Sequence, residues 1–302
     1  MVVRAYIDES VGKYKTFALG CVIAKGTEWT WISRDWKKCL ERKNRELRRA
    51  GRKCISRYHA TDCQNSYDEF KGWSADEKKP FVAELLGILN KYHIHILGAT
   101  LDKAELSEVY PEIKEKRLNG ESYAALAWLL FPEIVREARR LDGYPTAKIV
   151  YEHGDVSGHM INTYDRWNLL DSEVFGSIEK DTWKVLPLQA ADLVAFEAVK
   201  DRDNLKAPIK LERRFPLKEL MGDKRHGGGR GIHFGKEGLQ RLRLGNLLTE
   251  REDYAGYCTF PISDKQNESS ETVTQENEPS PGAPFLAFFA RGGALRRHPS
   301  NP

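Results

Sequence analysis

Apolar and β-branched positions open the chain. VVRAYIDES and, past the turn residues VGKYK, TFALGCVIAKG read as two strands. TEWTWIS adds a third and completes an antiparallel meander. From about Asp35 the period becomes helical: Trp36, Leu40 and Leu47 share a face, and Gly51 stops the run before residue 52. An irregular stretch, RYHATDCQNSYDEFKGW, leads to Ser74. That serine suits the N-cap of a helix reaching about Tyr92, with Phe81, Leu85, Leu86 and Leu89 as its apolar stripe. HIHILGATLD reads as a strand, and residues from about Ser122 to Leu141 as a strongly apolar helix. AKIVYEHGD follows as a short strand with a polar end, MINTYDRWNLL as a helix, and LPLQAADLVAFEAVK as a helix behind Pro187. Strands alternating with helices in this order predict an α/β fold: a mixed sheet with an antiparallel N-terminal meander and flanking helices.

Two segments stand outside that pattern. Residues 222–235, GDKRHGGGRGIHFG, are glycine-rich and basic and read as a loop. From about Ser263 the composition shifts to Ser, Glu, Asn, Thr and Pro, which buries too little apolar surface to fold. One domain is therefore expected over residues 1–262 and a disordered tail over 263–302. No stretch approaches the roughly 20 apolar residues of a membrane helix, and MVVRAYIDES has no secretory pattern. The five cysteines are odd in number and irregularly spaced, which fits a reducing cytoplasm better than a disulfide framework.

The acidic residues carry the candidate chemistry. Asp8 and Glu9 sit at the end of an apolar strand, where Asp is disfavoured by propensity and where ligands bind in α/β sheets. Glu152 ends IVYEHGD in the same way. Asp192 lies among Leu188, Ala191, Leu193 and Ala195, so its helix is apolar around much of its circumference, and the carboxylate needs a partner, a metal or a proton. Taken singly, each is as readily a turn, cap or ion-pair residue. Together, carboxylates from separate elements suit Mg²⁺ or Mn²⁺, which prefer oxygen ligands and keep waters.

YIDES, the mid-chain YHATD, the strand-end YEHGD and LQAADLVAF together resemble domain-of-unknown-function family 3800, over about residues 1–200. Its members are bacterial or mobile-element proteins predicted to adopt a ribonuclease-H-like fold. The resemblance implies that fold here, with Asp8 as the first-strand metal acid, Glu9 as its companion, Glu152 as the middle acid and Asp192 as the late-helix acid, preceded by Gln189. It makes His59 the mid-chain histidine; Tyr58 stands where the family often has an acid, leaving Asp62 as a substitute.

Other chemistry is less well served. The spacing of Cys54, His59 and Cys63 fits neither a zinc finger nor a ribbon. GGGRG lacks the Walker spacing, and no Gly-x-Ser-x-Gly elbow is present. Residues 34–57 carry eleven basic residues, from Arg34 to Arg57, against Asp35, Glu41 and Glu46, which suits either a phosphate-neutralising surface or a solvated helix face. The expectation is a divalent-metal-dependent nuclease acting on DNA or RNA. Asp8, Glu152 and Asp192 would hold Mg²⁺ or Mn²⁺, and Glu9 and His59 would assist as auxiliary ligand or proton shuttle. The alternatives are a catalytically degenerate nucleic-acid- or partner-binding module on the same fold, and a hydrolase of a small phosphorylated molecule.

Overall fold

A computed structural model of the chain describes residues 2–113, 115–143, 147–152, 160–161, 163–165, 175–181, 185–209, 212–222 and 229–244. Strands β1 (Val3–Val11), β2 (Thr16–Lys25), β3 (Ile94–Asp102), β4 (Ala147–Glu152), β5 (Phe175–Asp181) and β6 (Gly229–Phe234) form one six-stranded sheet in the order β5-β4-β1-β2-β3-β6. β1, β2 and β3 pair antiparallel, whereas β4 runs parallel to β1, β5 to β4 and β6 to β3. This mixed α/β sheet agrees with the expected ribonuclease-H-like arrangement.

The third strand of the meander is β3, not TEWTWIS. Helix α1 begins at Gly26 and runs to Arg49, because Trp29, Ile32, Trp36, Cys39, Leu40 and Leu47 form one buried face at helical spacing. The period-2 pattern of TEWTWIS is too short to override that longer stripe. Helix α2 covers Ala60–Asn65. Helix α3 covers Ala75–Lys91 and starts as expected at Ser74, in a reciprocal capping box with Glu77. Helices α4 (Lys103–Val109), α5 (Glu115–Asp142), α6 (Leu186–Lys206), α7 (Phe215–Gly222) and α8 (Lys236–Leu244) complete the described set.

The end of the glycine-rich segment is likewise not a loop. Gly229–Phe234 is the edge strand β6, and buried Phe234 anchors it against the sheet. Residues 223–228, Asp155 and the tail from 263 lie outside the described residues. Among the described residues no helix is long and apolar enough to cross a membrane.

Strand pleating sorts the core into two layers. Val3, Ala5 and Ile7 join α5 on one face, while Tyr6 and Val22 join α1, α3 and α6 on the other. On the second face α6 lies unusually close to the sheet. A Cβ built on Gly20 would sit 2.2 Å from the Ala195 nitrogen and 2.5 Å from the Ala191 carbonyl oxygen. Gly20 is the register partner of Asp8. The missing side chain therefore brings the α6 backbone down beside Asp8, and Asp192 with it.

Candidate carboxylate site

Asp8 is not at the end of its strand, because β1 continues to Val11 against β2. It lies where pairing with β4 stops: the last parallel partners are Ile7 and Tyr151, and Asp8 and Glu152 come next on each strand. Asp8 and Asp192 are both buried. Burial, and then the charges of Asp192 and Glu152, hold the Asp8 carboxyl well above the usual carboxylate range; the Glu9 amide opposes this, donating to Asp8 Oδ1 at 2.8 Å. Burial raises Asp192 to about 6, against the opposing pull of His59 and the Ala60 amide, and Glu152 pushes the same way as burial. Asp8, Glu152 and Asp192, from two strands and one helix, are therefore electrostatic neighbours.

Glu9 belongs less closely to this group. Pleat alternation turns it toward the α5 face, where its charge bears on Tyr123, and it is the weakest of the carboxylate influences on Asp8.

His59 reaches the site through a buried polar lock. Gln189 Oε1, one turn before Asp192, accepts from Trp36 Nε1 at 3.1 Å and from the Tyr58 amide at 2.9 Å. Asp192 Oδ2 accepts from the Ala60 amide at 2.7 Å. Residues 58–60 are thus fastened to α6 on both sides of His59, and His59 Nδ1 meets Asp62 Oδ2 at 2.6 Å. Asp62 is thus the acid that meets the His59 ring. Ser56, Arg57, His59, Asp62 and Glu69 line an open cavity of about 180 Å³.

A second acidic group lies at the far end of β3. Asp102, Glu105 and His233 hold their ligand atoms within 4.8 Å of one another, and among the described residues they are the group that meets this metal-ligand spacing. Asp8, Glu152 and Asp192 do not close to it. The second group could hold a metal ion, but Asp102 already accepts from Thr16 Oγ1 at 2.9 Å and from Arg202 at 2.9 Å, and pairs with Lys206. Burial raises its proton affinity, yet the hydrogen bonds from Lys206 and Arg202 outweigh this and hold its carboxyl low. Burial, then the Arg202 charge, lowers His233 to about 4, so its 3.9 Å approach to Asp102 is no ion pair at neutral pH. Sequence reasoning missed this group. Asp102 had the same signal as Glu152, an acid ending a buried strand, but His233 lay in the segment read as a loop.

No family model matches the chain, and no curated protein matches it. The resemblance to domain-of-unknown-function family 3800 therefore remains an expectation from the motifs.

Proposed function

We propose that this chain is a divalent-metal-dependent phosphodiesterase that cleaves nucleic acid, with Asp8, Glu152 and Asp192 holding the metal. The observation that carries this reading is the burial of Asp8 and Asp192, which repel each other and half-buried Glu152, with no Lys or Arg in ion-pair contact among the described residues, the opposing charges of His59 and Arg57 on Asp192 being outweighed by burial. Buried charges require compensation, and an all-carboxylate donor set fits Mg²⁺ or Mn²⁺. When bound, such an ion supplies charge neutralisation and a water acidified toward neutrality. Asp8, Glu152 and Asp192 would be the residues to hold it, although they stand wider than ligand spacing here.

The chain's own residues have separate tasks. Gln189 and Asp192 fix residues 58–60, and Asp62 orients His59 through Nδ1. The other ring nitrogen is left to exchange a proton with the attacking water or the leaving oxygen. Arg57 lines the same cavity, and its charge acts on Asp192.

The test is cleavage of labelled single- and double-stranded DNA and RNA with Mg²⁺, Mn²⁺ or EDTA, comparing wild type with Asp8→Asn and with Asp8→Asn plus Asp192→Asn. Metal-dependent cutting should fall by at least a hundredfold in each variant. In EDTA, Asp8→Asn should unfold at no lower a temperature than wild type, since it removes a repelled buried charge. Undiminished cutting by Asp8→Asn would refute the assignment. Folded protein that cuts no polymer would favour the binding-module alternative.

A further inference from the structure

The structure divides the basic residues of 34–57 into two classes. Six are committed to carboxylates: Arg34 to Asp35, Lys37 to Glu41, Arg42 to Glu84, Lys43 to Glu46, Arg52 to Glu77 and Lys53 to Asp68. Lys38, Arg45 and Arg49 are exposed and pair with no carboxylate among the described residues. They are not scattered. At 3.6 residues per turn, positions 31, 34, 38, 42, 45 and 49 fall within an arc of about 80° opposite the buried face, along roughly 27 Å of helix. The arc holds five cations, one aromatic residue and no acid.

The aromatic residue is Trp31, 47% exposed although it is among the largest side chains in the protein. The Arg34 guanidinium lies over its ring, 4.3 Å from the centroid. A solvated helix face needs cations interspersed with acids. It does not need an exposed indole beside Lys38, Arg45 and Arg49, three exposed cations with no carboxylate partner among the described residues, on one acid-free arc. The stripe also leads toward the carboxylate site: α1 ends at Arg49, and the chain continues from there to the cavity residues Arg57 and His59, whose charges act on Asp192.

We propose that this face of α1 docks a single-stranded nucleic-acid segment, with Lys38, Arg45 and Arg49 on successive phosphates and a base stacked on Trp31. The choice of nucleic acid rests on the phosphodiesterase reading. The choice of a single strand rests on Trp31, because stacking on an exposed indole needs a base free of its duplex. Cations without carboxylate partners contribute most, since they give up no ion pair to reach a phosphate. Each phosphate contact on a single strand adds about 0.7 to the slope of log K against log salt.

The experiment is anisotropy titration of a labelled single-stranded oligonucleotide and its duplex with the full chain, in EDTA, from 50 to about 300 mM salt. Lys38→Gln/Arg45→Gln/Arg49→Gln should weaken single-strand binding by about ten- to a hundredfold at 0.1 M salt and lower the slope by about 2. Arg213→Gln/Lys218→Gln/Lys236→Gln removes the same charge from another surface and should change binding less than threefold. Trp31→Ala should weaken the single strand by roughly fivefold or more and leave the duplex unchanged. Equal losses in the two triple variants, no binding by wild type, or indifference to Trp31→Ala would each overturn the proposal. Because EDTA takes the carboxylate site out of the measurement, a failed stripe leaves Asp8-dependent cleavage to stand on its own assay. Failed cleavage likewise leaves the binding result intact.

Discussion

Adding one methyl group at Gly20 tests how the site is built. A Gly20→Ala Cβ would lie 2.2 Å from one backbone atom of α6 and 2.5 Å from another, where ordinary contact begins near 3.4 Å. Neither neighbour is the flexible end of a side chain, so the helix or the strand must move by about 1 Å. A gap of that size forfeits a quarter to a half of each dispersion contact it opens, and the face that would lift carries Leu188, Ala191 and Ala195, all buried. Overpacking costs about 1–3 kcal/mol, and a backbone clash belongs at the upper end, near 3 kcal/mol. For a domain of this size that lowers the unfolding temperature by roughly 6–12 °C. The same shift carries Asp192 away from Asp8, so metal-dependent cleavage should fall in protein that is still folded at the assay temperature. Gly87 provides the opposite sign. It sits inside α3 with nothing within 4 Å of its added Cβ, so Gly87→Ala should stabilise by about 1 kcal/mol. Thermal unfolding of both variants in EDTA reads the difference. A Gly20→Ala loss below about 1 kcal/mol would refute the claim that close approach of α6 positions the site.

Gln189→Leu should leave the Tyr58 amide and the Trp36 indole N–H without their buried acceptor and cost about 3 kcal/mol, at roughly 1–3 kcal/mol per orphaned donor, read from the denaturant midpoint. It should also slow cleavage with Asp8 and Asp192 intact, because the chain carrying His59 loses one of its two fastenings. His233 sets an acid limit. Its folded pKa is about 4 against an ordinary 6.5, so below pH 6.5 the unfolded chain binds a proton that the folded chain refuses. Stability should therefore fall as pH drops from about 6.5 toward 4, by at most about 3 kcal/mol. Urea midpoints across that range should flatten in His233→Gln, and an unchanged slope would put the titration elsewhere.

The fold was legible where burial wrote a long period into the chain. Ser74 as an N-cap, the all-buried β3 and the apolar helix around Asp192 are examples, and each needed only local chemistry to be read. It was illegible where tertiary contact decided between two local readings. TEWTWIS alternates like a strand, yet Trp29 and Ile32 join the stripe completed only by Trp36 and Leu47. RGIHF follows a glycine run, yet it becomes a strand because β3 offers it an open edge. The acids were found one by one from apolar context. Their gathering was expected from the motifs taken together, but the contact that sets Asp192 beside Asp8 was not, because it depends on Gly20, a residue with no side chain to announce it.

Two acidic clusters in one chain also explain each other. Asp102 has its own fixed cations: Arg202, Lys206 and a hydroxyl from Thr16 satisfy it, and a metal there would face two positive side chains at contact distance. Such a group serves to fasten the C-terminal half of α6 to β3. Asp8 and Asp192 sit on the same helix–sheet seam but, among the described residues, accept hydrogen bonds from backbone amides, of Glu9 and Ala60, and the charges of His59 and Arg57 act on Asp192 without an ion-pair contact. The seam therefore compensates one carboxylate group with its own arginine and lysine and the other only in part, since burial outweighs the amides and the charges of His59 and Arg57. A buried group compensated only in part destabilises the fold unless something from solution completes it. The spacing criterion alone favours Asp102, Glu105 and His233. Charge balance reverses that preference, because ligand distances can close on an arriving ion, whereas a lysine and an arginine built into the site cannot withdraw without unmaking the contact they hold.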